Sequence, residues 1–599
     1  MDTTKGNSAA GVCWDLADLY MGLDDPRLEA DMVDAKRRAE SFEASYRGKI
    51  AALKPDEDGH LLLAVKELES LFELMDRPLI YAMLVHSAKT DDPKHGALLT
   101  KTRMERTAAN KHLIFFELEW VQVPDEIANA LMKKTSLERY RHWLEQKRVW
   151  KPHYLSEPEE KVLEEKSITG KAAFGRLFEE ATATMRFPFT GGVTLTLQEI
   201  LAKLYDPDRA TRQAAAAGIS EGLKSNAHLL TFIFNTIVLD HDSDCRLRSY
   251  PSYIFSRNLS NEIQDGVVTA LMSAVETNFG VVQRYYRLKR GLLGLDKLYD
   301  YDRYAPIFSD QPSCDWPTAR QIVQESYDAF SRRGGDVIRL FFDKKWIDAE
   351  LRPGKRGGAF SSSAIPSVHP YILMNFTERL RDVMTLAHEL GHGLHQYLSR
   401  GHGYFQCDTP LTTAEMASVF GEMLTFRRLQ EKYPEPKLKL AMLCGKIEDA
   451  FATVFRQVVL TRFELDLHEK RKEKGELAAH DIGHLWMLTN QAMFGAEVEL
   501  TEGYACWWSY IGHFIRSPFY CYAYAFGELL VLALFQKYRQ EGEAFVPKYL
   551  DLLSAGGSDA PHVLLAKLGV DVTDPNFWAL GLKLLEDMVG QAEELAGKL

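Results

Sequence analysis

Two histidines and a glutamate lie within five positions of the stretch TLAHELGHGLHQY, which covers residues 385–397. His388 and His392 are four residues apart, so on a helix their imidazoles point the same way and both can bind one zinc ion. Glu389 is rotated from the first histidine by about 100 degrees, where its carboxylate can reach a water molecule on that ion. The pattern predicts two metal ligands and a general base.

A third histidine, His395, follows in the same stretch. Seven residues separate it from His388, which is a rise of about 10.5 Å along a helix and too far for both to bind one ion. His395 can contact the substrate or a residue that hydrogen-bonds to a metal ligand. The alternative is that it is an ordinary packing residue.

The histidines require a helix to hold them, and its ends have sequence signals. Asn375 and Glu378 have the spacing of a capping box, while Arg400 and Gly401 are typical of a helix C-terminus. These signals predict a helix from about Phe376 to Ser399.

A catalytic zinc site commonly has a third protein ligand, and the next segment offers two carboxylates on one helix face. Thr409 and Pro410 have the residue types of an N-cap and a first helical residue, which puts Glu415 in the second turn. Glu422 follows two turns later and can orient a ligand histidine through a hydrogen bond. The alternative for Glu415 is a capping-box partner of Thr412.

The segment upstream of the histidine helix differs from the rest of the chain. Gly357, Gly358, Ala359 and Phe360 precede serines and the run PYILMNF, a pattern that favours a short strand or hairpin. Such a strand can pair with an extended peptide, and a plain loop is the alternative.

Helical periodicity dominates elsewhere, for example in LLLAVKELESLFELM (residues 61–75), and alternating strand patterns are rare. We therefore expect a predominantly α-helical protein. Residues 1–200 are predicted to form an N-terminal helical region and residues 201–599 a catalytic domain with interleaved lobes.

The composition of the chain disfavours some classes of binding partner. The 599 residues have a formal charge of −12 and contain no basic block that could follow a phosphate backbone, which disfavours nucleic acid. The start of the chain lacks the apolar segment of an export signal, and the apolar runs are too short to suggest insertion into a membrane. Seven cysteines, none at CxxC spacing, are typical of reduced thiols, so we expect a cytoplasmic protein.

TLAHELGHGLHQY, together with PLTTAEMASVFGEML downstream, resembles the oligoendopeptidase F family, whose relatives include thimet oligopeptidase. The similarity continues through HYLSEPEEKVLEEKSITGKAAFGRLF and HFIRSPFYCYAYAFGELL, and touches most of the chain from about residue 150 onward. The resemblance implies an almost entirely helical protein whose two lobes enclose a deep channel for short unstructured peptides, with one zinc ion at its floor.

The resemblance also implies roles for individual residues. His388, His392 and Glu415 match the zinc ligands of the family, Glu389 matches its catalytic glutamate, and Glu422 matches a group that orients a ligand. Relatives stabilise the oxyanion with a histidine and tyrosines from the C-terminal region, and the corresponding residues here are His513, Tyr520, Tyr522 and Tyr524. Because the tyrosines alternate, the alignment can slip by two, and aromatic packing is the alternative for each of them.

The function that these patterns predict is a zinc-dependent endopeptidase in which Glu389 takes a proton from a metal-activated water. Two alternatives stay open. Helical zinc carboxypeptidases and dipeptidyl carboxypeptidases share the HExxH pattern, although several of them have a histidine where this chain has Ala414. A noncatalytic peptide-binding protein with a structural zinc is the other alternative, and it would not require Glu389. The sequence leaves the oligomeric state open.

Overall fold

The computed structural model describes residues 7–308 and 312–599 and is predominantly helical, which confirms the predicted fold class. The first half of the chain contains α1 (Pro26–Tyr46), α2 (Asp58–Ala88), α3 (Pro93–Asn110), α4 (Ile114–Gln122), α5 (Asp125–Met132), α6 (Arg141–Arg148), α7 (Glu157–Ser167), α8 (Lys171–Thr184), α9 (Leu197–Ala202), α10 (Arg209–Ser225), α11 (Ala227–Leu247), α12 (Phe255–Ser260), α13 (Asp265–Thr277) and α14 (Phe279–Leu292). None of the helices in the described residues is long and apolar enough to cross a membrane.

The second half contains α15 (Trp316–Phe330), α16 (Arg332–Asp343), α17 (Leu380–Ser399), α18 (Leu411–Ala414), α19 (Met416–Lys432), α20 (Pro436–Thr453), α21 (Phe455–Lys474), α22 (Ala479–Phe494), α23 (His513–Arg516), α24 (Tyr522–Glu541), α25 (Phe545–Ala555), α26 (Pro561–Ala566) and α27 (Pro575–Ala596). The strands are short: β1 (Phe187–Pro188), β2 (Thr194–Leu195), β3 (Leu298–Tyr299), β4 (Ile347–Asp348), β5 (Phe360–Ser362), β6 (Tyr371–Leu373) and β7 (Val498–Glu499).

The chain divides into two compact units, and each unit is assembled from three separate segments. Unit 1 comprises residues 1–152, 312–432 and 537–570, and unit 2 comprises residues 153–311, 433–536 and 571–599. Unit 1 contains α1–α6, the helices α15–α19, and α25 and α26. The division at residue 200 that the sequence suggests stays a prediction.

A three-stranded sheet in unit 1 precedes the histidine helix in the chain. The strand order is β4-β6-β5, with β4 parallel and β5 antiparallel to the central strand β6. The residues of β6 are completely buried, as expected for a central apolar strand. This sheet is the small β element that the sequence predicts next to the metal site, and β5 forms one of its edges.

The core of unit 1 around the metal site consists of helices packed on α17. Its buried residues Leu386, Ala387, Leu390 and Leu394 recur at helical spacing and face α15, α16 and α19. The histidine helix is thus fixed along its apolar face, and the opposite side of each turn is left for polar side chains.

Candidate metal centre

Helix α17 begins later than the sequence predicts. Its first residue is Leu380, and the carboxylate of Asp382 accepts hydrogen bonds from the backbone N–H groups of Thr377 and Arg379. The predicted capping box of Asn375 and Glu378 is wrong, because Glu378 has φ +65° and accepts a hydrogen bond from the distant Ser8 backbone. The helix ends at Ser399, as predicted.

Three candidate ligand atoms meet at one point on this helix. The Nε2 atoms of His388 and His392 are 3.1 Å apart, and each lies 3.4 Å from Oε2 of Glu415. Ligand atoms about 2.0–2.1 Å from a zinc ion at tetrahedral angles lie about 3.3–3.4 Å apart, so this triangle has nearly the size that a zinc ion requires. Two imidazoles and one carboxylate also form the donor set of a catalytic zinc site that keeps one position open.

Glu415 reaches this point from a break between two helices. It follows α18 and precedes α19, with φ −81° and ψ 0°, so the single helix predicted from Pro410 is interrupted at the ligand itself. The hydroxyl of Ser418 donates a hydrogen bond of 2.8 Å to Oε2 of Glu415. Burial alone would raise the pKa of Glu415, but its hydrogen bond and charge interaction with His392 outweigh this and lower the pKa to about 2.

Glu422 lies behind the first histidine. Its Oε1 is 2.6 Å from Nδ1 of His388, on the far side of the ring from the candidate ligand atom Nε2. This is the contact that the orienting role predicted for Glu422 requires, because it fixes the ring and leaves Nε2 free to bind a metal. Burial would lower the pKa of His388, but the hydrogen bond and negative charge of Glu422 outweigh it and raise the pKa to about 9.

Glu389 lies beside this triangle and is not part of it. Its side chain is only 6% exposed, yet its carboxylate forms no hydrogen bond with any residue that the structure describes. Burial raises the pKa of Glu389 above its ordinary value, although the neighbouring histidines oppose this. A carboxylate with a raised pKa and free lone pairs is suited to accept a proton.

His395 differs from the other two histidines of the helix. It is 5% exposed, and its Nε2 has no hydrogen-bond partner among the described residues. Burial lowers the pKa of His395 to about 4, so the ring is neutral. This position favours packing over contact with a substrate.

Close packing between α17 and α19 brings Glu415 to the histidines. A Cβ atom on Gly391 would lie 2.3 Å from the carbonyl oxygen of Ala417 and 2.5 Å from Cα of Ser418. Only glycine permits this approach, and the two residues that it touches lie two and three positions after Glu415.

Gly391→Ala is therefore expected to displace the start of α19 and weaken metal binding together with folding. Overpacking of this kind costs about 1–3 kcal/mol of stability. Gly445→Ala is the matched control, because Gly445 lies in α20 and a Cβ there meets nothing within 4 Å. Thermal unfolding and metal content would be measured for both variants, and equal behaviour of the two would contradict this role of Gly391.

Two further contacts support the ligands without any signal in the sequence. The Tyr327 hydroxyl donates a 3.0 Å hydrogen bond to the carbonyl oxygen of Ala387, the residue before the first histidine. A Cβ on Gly421 would lie 1.9 Å from that hydroxyl oxygen, so the glycine makes room for Tyr327. Sequence reasoning missed this pair, because neither residue lies near the histidines in the chain.

The predicted glycine loop leads into the edge strand β5. Gly358 has φ +80°, which favours glycine, and its carbonyl oxygen accepts a hydrogen bond from the Asn375 amide. Cβ atoms on Gly357 and Gly358 would meet nothing within 4 Å. The next strand, which begins at Phe360, is tied to the histidine helix by a 2.8 Å hydrogen bond from the Ser361 hydroxyl to Gln396.

The C-terminal histidine and tyrosines belong to unit 2, and three of the four form a cluster. The ring of His513 is 5.9 Å from those of Tyr520 and Tyr524, which are 5.1 Å from each other. Burial lowers the pKa of His513. Tyr522 is separate: it is fully buried, and its hydroxyl accepts a hydrogen bond from Asn261.

Comparison with known proteins identifies the family. The model of peptidase family M3 matches residues 202–584, which is more than half of the chain. The chain belongs to peptidase family M3. A second model, Oligopeptidase F, matches residues 119–187 of this M3 peptidase, so the resemblance predicted from its motifs is confirmed.

Curated relatives of this M3 peptidase cover nearly its whole length. An oligoendopeptidase F homolog from Lactococcus lactis is 25% identical over 98% of this chain and 97% of the relative. Oligopeptidase PepF from Bacillus subtilis is 26% identical over 93% of this chain and 83% of the relative. These matches agree with the predicted enzyme class: the protein is a metallo-oligopeptidase that hydrolyses peptides.

Solved structures share the fold. A putative peptidase from Chlamydophila abortus superposes with a TM-score of 0.89 at 23% identity, covering 98% of each chain. Oligoendopeptidase-F from Enterococcus faecium superposes with a TM-score of 0.69 at 22% identity, covering 96% of this chain and 99% of the other.

Metal binding by this M3 peptidase is expected to release close to one proton at neutral pH. With a pKa of about 9, His388 is protonated in the metal-free protein, and a metal displaces that proton. Affinity should therefore rise about tenfold per pH unit below that pKa and level off above it. Titration calorimetry with Zn²⁺ in buffers of different ionisation enthalpy measures the release.

The control for proton release is Glu422→Gln, which removes the charge that holds the proton on His388. This variant should release a smaller fraction of a proton at the same pH. Equal release by the two proteins would show that Glu422 does not set the protonation of the ligand.

Proposed function

We propose that this M3 peptidase is a zinc-dependent endopeptidase that hydrolyses short unstructured peptides, with His388, His392 and Glu415 as zinc ligands. The observation that carries the proposal is the triangle of ligand atoms, with sides of 3.1, 3.4 and 3.4 Å, beside an unbonded glutamate. A structural zinc site has no need of such a base, so the presence of Glu389 supports catalysis over the noncatalytic alternative.

A zinc ion held by these residues supplies Lewis-acid chemistry, because it acidifies water and polarises the scissile carbonyl. The proton steps are assigned to Glu389. Its carboxylate takes a proton from the attacking water and later delivers it to the leaving amine. Burial raises the pKa of Glu389, which makes its carboxylate a stronger base for the first transfer.

We assign oxyanion stabilisation to the cluster of His513, Tyr520 and Tyr524. Tyr524 is 38% exposed and its ring packs against the other two, so part of this cluster is accessible to solvent. Tyr522 is left out of the assignment, because its hydroxyl is buried and bonded to Asn261. Each donor that contacts a developing oxyanion contributes about 10²–10³ to kcat in well-studied enzymes.

We assign binding of the substrate backbone to the free edge of β5. An extended peptide adds most readily to an unpaired strand edge, and β5 pairs only with β6 in the described residues. The hydrogen bond from Ser361 to Gln396 ties this edge to the helix that carries the metal ligands. The loop of Gly357, Gly358 and Ala359 leads into this edge, and we assign it to the same substrate contact.

Digestion of a mixed peptide library, with zinc and with a chelator, tests this function by mass spectrometry. We expect internal cuts, including cuts in peptides that are acetylated and amidated, and no cuts with the chelator. Cleavage only at a fixed distance from a free C-terminus would instead support a carboxypeptidase or dipeptidyl carboxypeptidase. Stoichiometric zinc without any hydrolysis would support the noncatalytic alternative.

A further inference from the structure

Two guanidinium groups of unit 2 lie side by side without forming an ion pair. Arg303 is in the short 3-10 helix Asp300–Tyr304, and Arg456 is in the first turn of α21. Neither arginine makes a salt bridge with a carboxylate in residues 7–308 and 312–599. Charges removed from water are normally paired, so the surroundings of these two cations need an explanation.

The buried charge of Arg303 is stabilised by the residues around it. It is 6% exposed, and its Nε donates a 2.8 Å hydrogen bond to the carbonyl oxygen of Asp300. The guanidinium lies 4.9, 5.0 and 5.2 Å from the ring centres of Tyr304, Phe494 and Tyr504. Cation–π contacts on three rings and a backbone acceptor give this arginine a structural role.

Arg456 is different because it is half-buried and its hydrogen bonds go to phenol groups. Its Nη1 donates a 3.2 Å hydrogen bond to the hydroxyl oxygen of Tyr304, and its guanidinium also bonds with the hydroxyl of Tyr510. No carboxylate in the described residues forms a salt bridge with this guanidinium, although the residue as a whole is partly exposed.

The Tyr304 hydroxyl has an unused proton. Its oxygen accepts from Arg456 and, at 3.3 Å, from Nη2 of Arg303, while its own O–H has no acceptor among the described residues. Burial would raise the pKa of Tyr304, but the two guanidinium charges outweigh it and lower the pKa. This O–H is a strengthened donor for which no acceptor occurs among the described residues.

One carboxylate near this group, Asp300, interacts with Arg303. Asp300 is the carboxylate that acts on Arg303, and its Oδ2 accepts two hydrogen bonds of 2.6 Å from Thr501. Its hydrogen bonds thus go to Thr501, and neither guanidinium forms a salt bridge with a carboxylate in the described residues. An arginine with converging O–H donors matches the planar shape and charge of a carboxylate.

This group also lies near the histidine–tyrosine cluster. The charge of Arg456 acts on the thiol of Cys521, which follows Tyr520 in the chain. Tyr510 precedes His513 by only three residues. A ligand on Arg456 would thus lie close to the segment to which we assign oxyanion stabilisation.

We propose that Arg456, Tyr304 and Tyr510 form a binding site for a carboxylate group of the peptide substrate. The carboxylate is either the free C-terminus or an acidic side chain, and both present the same chemistry to the arginine. This proposal rests on the proposed function. It assigns to Arg456 a part in substrate selection and none in bond cleavage.

The test compares matched peptides that differ only in one carboxylate. One pair has a free or an amidated C-terminus, and a second, amidated pair has glutamate or glutamine at one position. A hydrogen-bonded charge pair contributes about 1.5–3 kcal/mol, so wild type should prefer the acid of one pair by about 10- to 100-fold in kcat/KM. The pair that shows the preference identifies the source of the carboxylate.

Arg456→Gln should remove this preference, because it should raise KM for the acid more than KM for the amide. Arg456→Lys should restore part of it. Arg462→Gln is the control, since Arg462 lies on the same helix but pairs with Glu276. If Arg456→Gln does not fold, Tyr510→Phe replaces it in the test. This variant removes one hydroxyl and no charge, and it should reduce the preference.

Two results would overturn the proposal: a wild-type enzyme that is indifferent in both pairs, or variants that retain the full preference. Failure of the proposed function is distinguishable, because binding of labelled peptides to Glu389→Gln can be measured by fluorescence anisotropy without any turnover. If no peptide is cut by wild type, the endopeptidase assignment fails, while the binding ratio of acid to amide still decides the carboxylate site.

Discussion

Glu389→Gln is expected to abolish peptide hydrolysis while the protein keeps its metal. Glutamine has nearly the same size and cannot accept the proton of an attacking water. Glu389 contributes no atom to the triangle of His388, His392 and Glu415, so metal binding does not depend on it. General-base catalysis contributes about 10²–10⁴ to a rate, and the same residue also returns the proton, so we expect a loss of kcat at the upper end of this range or beyond.

Initial rates on one blocked peptide and metal content by mass spectrometry are the measurements. Glu325→Gln is the control for a carboxylate change within unit 1, because Glu325 is an exposed partner of Arg428. Glu389→Gln should unfold at a temperature close to that of wild type. Turnover within about tenfold of wild type by the metal-loaded variant would remove Glu389 from the proton steps.

The part of the site that could be predicted from sequence is the part fixed by helical periodicity. Four residues of spacing place His388 and His392 on one face of α17 in any context, and the rise per residue keeps His395 apart from them. The predominance of α-helix could also be predicted from the sequence, because amphipathic spacing repeats through most of the chain. These features depend on neighbours within a turn or two.

Features that depend on distant residues could not be predicted. The predicted capping box at the start of α17 is wrong because the Glu378 carboxylate accepts a hydrogen bond from the backbone N–H of Ser8. These two residues are 370 positions apart in the chain. The break at Glu415 lies where α19 packs closely against Gly391 through Ala417 and Ser418, and local propensity favoured an unbroken helix there. In both cases a tertiary contact overrides a valid local signal.

The arginine–tyrosine group has no sequence signature at all. Tyr304 and Arg456 are 152 residues apart, and neither belongs to a motif. A lone arginine on an amphipathic helix is ordinary in a sequence. The binding role that we propose for Arg456 is inferred from its lack of an ion pair in the described residues, which only a structure reveals.

Glu415, in the break between α18 and α19, and Glu422, in α19, should differ clearly in their effect on metal binding. Glu415→Ala removes one of three candidate ligands, and we expect the purified variant to contain little or no zinc. Glu422→Ala leaves all three ligand atoms in place and removes the 2.6 Å hydrogen bond to Nδ1 of His388. Loss of such an orienting partner typically weakens metal affinity by about 10–100-fold, so this variant should still load at high zinc concentration.

Zinc affinity measured by competition with a chromophoric chelator distinguishes the two roles over this range. The comparison is well controlled because both changes remove one carboxylate from the same short stretch of unit 1, and both carboxylates interact with His388. Added zinc should restore hydrolysis by Glu422→Ala toward the wild-type rate and leave Glu415→Ala inactive. If Glu422→Ala were the variant that lost zinc, the roles of the two carboxylates would have to be exchanged, and the 3.4 Å separations of Glu415 from the histidines would then describe an ordinary ion pair.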